Sequence, residues 1–282
     1  MLNNTGRKAA AQETVSILEH GTYRAPTGGQ VSLTEWMAAC LEGTRCYDPE
    51  QLAEIRRQVV AESPAFSETH VEVVNETTLE AAARLAADGT PGRPGVLNFA
   101  SARNPGGGFL GGAQAQEESL ARSSGLYPSL LRCPAYYDFH RSHRSTLYSD
   151  RMIYSPECPV FRKDDGELLE TPYRVDFITS PAPNAGAIRR NEPENVSRIE
   201  PALRERGEKV LALAASHGCE VLVLGAWGCG VFQNDPVVVA ETFARSLGDG
   251  GPFQGRFRRI VFAVLDRSPE QATFTAFHER FG

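Results

Sequence analysis

Two stretches of this chain share one layout: an apolar strand, a glycine-rich turn, then a helix. In the first, Val96-Leu97-Asn98-Phe99-Ala100 leads into Asn104-Pro105-Gly106-Gly107-Gly108 and a polar helix expected from about 114 to 124. In the second, Val221-Leu222-Val223-Leu224 leads into Gly225-Ala226-Trp227-Gly228-Cys229-Gly230 and a helix expected over 235–247. Short, unbroken apolar runs suit strands buried on both faces. Strands alternating with helices imply a sheet with helices on both sides. The expected fold is therefore α/β, a three-layer α/β/α arrangement on a mixed sheet. Both glycine turns then fall at the carboxyl ends of strands, where open α/β sheets bind ligands.

Further strands are expected at Val71-Glu72-Val73-Val74, 174–179, 220–225 and 259–265, with helices at 79–87, opened by Thr77-Thr78, and at 198–216. Before residue 66 the pattern is helical, with segments expected at 7–20, 32–42 and 49–60. We read residues 1–65 as an N-terminal helical extension and 66–282 as the catalytic domain. The stretch 133–173, rich in Pro, Arg, Tyr and Ser, reads as a long irregular loop.

The formal net charge is -6, so any polyanion must be held by local devices such as helix N-termini and backbone N–H nests. Only three lysines occur, Lys8, Lys163 and Lys209; the other basic residues are arginines, which suit bidentate phosphate contact. No apolar run approaches the ~18 residues of a membrane span, and no signal-peptide pattern opens the chain. The six cysteines include no C-x-x-C pair, which is read as a cytoplasmic protein with reduced thiols. Cys133, His140, His143 and Cys158 are zinc-ligand residue types, but their spacing fits no common finger, so no metal is expected.

The chemistry concentrates on the first glycine loop. It is not a Walker loop, since no Gly-Lys-Ser/Thr follows, nor a dinucleotide fingerprint running into an apolar helix. It leads instead to Gln116-Glu117-Glu118 at a helix start, where the dipole favours carboxylates by ~0.3–1 kcal/mol. A diphosphate cradled by successive N–H groups would place its attached sugar near these acids. Glycosidic cleavage needs an acid for the leaving oxygen and a base for water. In the second loop, Phe232 is placed to stack on a ribose or base. Cys229 has no neighbouring base in sequence to make it a nucleophile.

Asn98-Phe99-Ala100-Ser101-Ala102-Arg103-Asn104-Pro105-Gly106-Gly107-Gly108, seven residues (109–115), then Gln116-Glu117-Glu118 resembles the signature of poly(ADP-ribose) glycohydrolases, in their bacterial-type macrodomain branch. Val73 to Leu79, Ser180 to Asn184 and Gly228 to Asn234 support the likeness, which runs from about residue 70 to 265. The resemblance implies a macrodomain fold that hydrolyses ribose–ribose O-glycosidic bonds of poly(ADP-ribose) without a cofactor. It implies Glu118 as catalytic acid/base and Glu117 as holder of the ribose hydroxyls, with Gln116 beside them. Gly106, Gly107 and Gly108, with Gly228, Cys229, Gly230, Val231 and Phe232, would form the diphosphate loops. Asn98 or Asn104 would fix the distal ribose, and adenine would lie near Glu76-Thr77. Expected partners are poly(ADP-ribose), the product ADP-ribose and ADP-ribosylated proteins as polymer carriers. A non-catalytic ADP-ribose reader and a mono-ADP-ribosyl hydrolase remain the alternatives. The C-terminal segment Asp266-Arg267-Ser268 and Thr273 are expected at the pocket rim.

Overall fold

A computed structural model describes residues 2–89 and 92–282. Seven strands form one mixed sheet in the order β3 (Arg45–Tyr47), β6 (Met152–Arg162), β7 (Leu168–Ser180), β5 (Gly95–Phe99), β8 (Val221–Leu224), β9 (Arg259–Ala263), β4 (His70–Val74). The five from β7 to β4 run parallel, while β6 is antiparallel to both β7 and β3. A separate two-stranded ribbon pairs β1 (Thr22–Arg24) with β2 (Gln30–Ser32).

Side chains alternate between the two faces of a strand, and that alternation divides the core. Leu97, Leu222, Leu224, Ile260 and Phe262 pack with α3 (Pro49–Ala61), α9 (Ile199–Ser216), α10 (Pro236–Leu247) and α11 (Ala272–Phe281). Their strand neighbours Val96, Val221, Val223 and Val261 face α4 (Thr78–Ala87), α6 (Leu126–Leu131) and α7 (Pro134–Ser142). Local sequence sets the helix starts. Asp48 and Gln51 form a capping box before α3, with Pro49 in its first turn, and Thr77 and Glu80 form another before α4. Asn3 caps α1 (Asn4–His20), which ends at Gly21 with φ 72°.

The structure corrects the sequence reading in three places. The stretch 133–173 is not irregular; it contains α7, β6 and the first part of β7. Pro156 and Pro159 disguised β6, because proline cannot donate to a ladder and is tolerated in strands chiefly at bulges and edges. The chain absorbs Pro156 in a register shift between Ser155 and Cys158, with Glu157 at φ 51°, while Pro159 keeps its register opposite Arg174, beyond the stretch of β6 that β3 covers. Second, the N-terminal segment is not only helical. It supplies β3 to the sheet edge, following α2 (Thr34–Gly43), as well as the β1–β2 ribbon. Third, the thiols are not all reduced. Cys46 on β3 and Cys133 before α7 form a disulfide across 87 residues of sequence, with Cα atoms 5.8 Å apart. Of the other zinc-type residues, His140 is bonded within the protein and Cys158 is a buried thiol; no metal-holding group of His, Cys, Asp or Glu occurs among the described residues. No helix among them is long and apolar enough to cross a membrane.

Candidate active site

The carboxyl ends of β4, β5, β7, β8 and β9 share one sheet edge, and the loops leaving them build a single cleft. The loop after β5 turns at Gly106 (φ 68°) and Gly107 (φ 60°), passes a short 3-10 turn at Phe109–Gly111, and enters α5 (Gln116–Ser123). Ala115 offers α5 no side-chain cap, so the helix start faces the cleft uncapped.

Gln116 clamps this helix to the sheet. Its Nε2 donates to the Leu97 carbonyl (2.8 Å) and to Thr78 Oγ1 (3.2 Å), and its Oε1 accepts from the Phe99 N–H (2.9 Å). Both ends of the side chain are thus engaged by protein, although it also borders the cleft. Successive helix residues point ~100° apart, which separates the two acids. Glu117 turns inward and is buried; its Oε2 accepts from the Ser101 N–H (2.6 Å) and its Oε1 from Asn98 Nδ2 (3.2 Å). Asn98 is itself fully buried and also donates to Thr179 Oγ1 (3.1 Å). It therefore sits beneath Glu117 rather than against a ribose, a correction to the sequence reading. Glu118 is only partly buried and lines the cleft, with Oε1 accepting from the Gly108 N–H (2.9 Å).

Burial pushes Glu117 up to about 8, against the pull of the Ser101, Asn98 and Gly106 donors and with a further push from Glu118. The folded chain therefore retains a proton that the unfolded chain, with a value near 4.5, releases. This group's contribution to stability is full below the unfolded value and declines as pH rises towards about 8. Glu117→Gln stays neutral, so its urea midpoint should fall less than that of the wild type between those pH values. An equal fall in both proteins would show that Glu117 is ionised throughout.

The loop after β8 is pinned from below. Trp227 Nε1 donates to the Ser180 carbonyl (3.1 Å), and Asn234 Nδ2 donates to the carbonyls of Pro183 (2.8 Å) and Gly228 (3.2 Å). Gly228 (φ 74°) turns the chain so that Gly230 and Val231 project, Val231 being 79% exposed. Phe232 is half-buried, its ring 6.0 Å from that of Tyr148. Cys229 is half-buried and pushed up to about 12 by burial and then by Asp235, which suits packing and not nucleophilic attack.

The cleft has two lobes that share Phe99, Gln116, Ala226 and Gly230 as a common wall. A lobe of about 660 Å³ holds Glu117, Glu118, Gly107, Gly108, Asn104 and Phe232. The other, about 410 Å³, holds Glu76, Thr77 and Cys229, with Asp266, Arg267 and Thr273 at its rim. Glu76 is paired there with Arg84 (2.6 Å) and Thr77 Oγ1 donates to Asp164 (2.6 Å). The sequence reading missed three contributors: Ser101, Thr179 and Tyr148. Ser101 lay inside the quoted glycine motif, but Thr179 and Tyr148 carried no local signal.

A mixed sheet between two helical layers, with a glycine loop delivering a carboxylate pair to its carboxyl edge, defines a macrodomain-like hydrolase architecture. More narrowly, this chain belongs to the microbial-type poly(ADP-ribose) glycohydrolases. The family described as "Microbial-type PARG, catalytic domain" matches residues 11–163. The crystal structure of poly(ADP-ribose) glycohydrolase from Thermomonospora curvata is 55% identical over 98% of this chain and 99% of that one, with a TM-score of 0.93. The same enzyme bound to the inhibitor ADP-HPD is 54% identical over the same shares, TM-score 0.91. The enzyme from Deinococcus radiodurans in complex with ADP-ribose is 49% identical over 86% of this chain and 96% of that one, TM-score 0.82. No curated protein matches the chain.

Proposed function

We propose that this chain hydrolyses the ribose–ribose bonds of poly(ADP-ribose), releasing ADP-ribose, with Glu118 as the acid and then the base. The observation that carries the reading is the division of labour between the two acids: Glu117 buried on Asn98 and Ser101, Glu118 presented to the cleft from the Gly108 N–H. Kinship with enzymes solved with ADP-ribose and ADP-HPD supports the substrate class. A pure reader of ADP-ribose has no use for a carboxylate held in this way.

The diphosphate passes between the Gly106–Gly108 turn and the Gly228–Phe232 loop, with the adenine end in the smaller lobe near Glu76 and Thr77. Asn104, exposed in the larger lobe, meets the distal ribose. Glu118 donates its proton to the departing hydroxyl as the C–O bond breaks through an oxocarbenium-like state. Now ionised, it takes a proton from the incoming water and returns to its starting form. Glu117 orients the ribose hydroxyls from its fixed position. Residues 1–65 act as a brace built onto the catalytic unit 66–282, with ADP-ribosylated proteins as polymer carriers. A cytoplasmic site of action belongs to the same reading. The free thiols of Cys40, Cys158, Cys219 and Cys229 support it, while the Cys46–Cys133 disulfide weighs against it.

The test is digestion of purified poly(ADP-ribose), alongside mono-ADP-ribosylated protein, with products separated by chromatography. Free ADP-ribose from polymer, with the protein-linked unit left in place, is the expected result. Release of the protein-linked unit alone would make the chain a mono-ADP-ribosyl hydrolase, and no release from either would make it a reader.

A further inference from the structure

Beyond Glu118 the larger lobe opens past Arg103 and Tyr148. Arg141 on α7 donates from Nε to the Arg103 carbonyl (3.0 Å), bringing the end of α7 against the glycine loop. On the other side, Arg189 on α8 (Ala185–Asn191) donates to the Gln233 carbonyl (3.1 Å), beside Phe232. The intervening segment is tied to α8 by Ser145 and Thr146, which both donate to Glu192. Arg103, Arg144 and Arg189 are exposed, and none pairs with a carboxylate among the described residues.

Tyr148 lies at the centre of this rim with its backbone at φ 57°, a conformation that costs a non-glycine residue roughly 1–2 kcal/mol. The surroundings hold it there. Buried Arg206 donates to the Leu147 carbonyl (3.0 Å), the Tyr148 carbonyl (3.4 Å) and Asp150 (2.9 Å), and Lys209 reaches the same Asp150. Next along, Ser149 donates from Oγ to His140 Nε2 (2.9 Å), while His140 Nδ1 donates to the Tyr136 carbonyl (2.8 Å). A strained residue fixed on both sides, with its ring lining the reactive lobe, points to a contact surface.

We propose that Tyr148, Arg103, Arg144 and Arg189 form the subsite for the polymer unit on the far side of the scissile bond, the one that departs. That unit leaves as a ribose hydroxyl, carries an adenine able to stack on the Tyr148 ring, and continues into a diphosphate that the arginines meet. Stacking platforms combined with arginine are how proteins hold single-stranded chains of similar chemistry. Bound to this surface, the leaving unit is aligned with Glu118 before protonation. The inference rests on the proposed hydrolysis of poly(ADP-ribose).

The experiment compares Glu118→Gln with Glu118→Gln/Arg103→Gln/Arg144→Gln, measuring binding of fluorescently labelled poly(ADP-ribose) and, by calorimetry, of free ADP-ribose. Polymer should bind the triple variant about tenfold more weakly at ~50 mM salt, and Tyr148→Ala should add a further loss, whereas ADP-ribose affinity should stay within about twofold. Removing two phosphate contacts, each with a salt slope of ~0.7, should shrink the polymer difference about sevenfold between ~50 and ~200 mM salt. Unchanged polymer binding, or a parallel loss for ADP-ribose, would overturn the subsite. So would competition by single-stranded DNA as effective as that by polymer, which would make the rim a general polyanion surface. A wild-type protein that leaves polymer uncut would defeat the hydrolase reading instead, and the binding arms would still judge the rim.

Discussion

Glu118→Gln is expected to bind ADP-ribose as the wild type does and to release it from polymer about 10²–10⁴-fold more slowly, the range general acid–base help supplies. The substitution is close to isosteric. A glutamine Oε1 still accepts from the Gly108 N–H, so the turn through Gly106 and Gly107 keeps its support. What disappears is the exchangeable proton. Single-turnover digestion with excess enzyme separates this loss from any change in product release. ADP-ribose calorimetry separates it from a damaged cleft. A rate within tenfold of wild type would remove Glu118 as the acid and leave Glu117 as the candidate, despite its burial against Asn98 and Ser101.

How much of this was legible in the chain depends on the range of each signal. The two strand–glycine–helix units were visible because each completes itself within about 30 residues, and their edge location follows from parallel packing. The Thr77–Glu80 capping box and Pro236 at the start of α10 likewise mark helix starts locally. Asn98 was misplaced for a reason the strand period contains. It shares the face of Val96, which packs on the α4 side of the sheet, so its amide rises beneath α5 and not into the cleft. Tyr148 carries no such periodic clue. Its position depends on Arg206, 58 residues later, and on a left-handed backbone that tyrosine does not advertise. Cys46 and Cys133 meet only because β3 joins the sheet edge next to β6, a pairing of segments more than 100 residues apart.

Gly107→Ala should reduce kcat/KM on polymer at least about 100-fold while leaving the protein folded. A Cβ at this position would land on Glu118 Oε1 and against Glu117 Oε2, touching both acids at once. It cannot be absorbed by a harmless side-chain swing, because Glu117 is fixed by Ser101 and Asn98, and Glu118 would have to leave the Gly108 N–H. Displacing a reacting group by ~1 Å is enough to cost 10²-fold. The backbone adds its own penalty, since φ 60° costs an alanine roughly 1–2 kcal/mol relative to glycine. Thermal unfolding should therefore show a modest loss, far too small to explain the lost turnover. Gly111→Ala is the matched control: it lies in the same loop, yet a Cβ there meets nothing within 4 Å. If Gly107→Ala and Gly111→Ala kept equal activity, glycine would not be required at 107 by the acids, and the proposed placement of Glu118 would have to be abandoned. If only Gly107→Ala fails, the glycine at 107 is explained by the acids themselves: the turn leaves the two carboxylates the room they need.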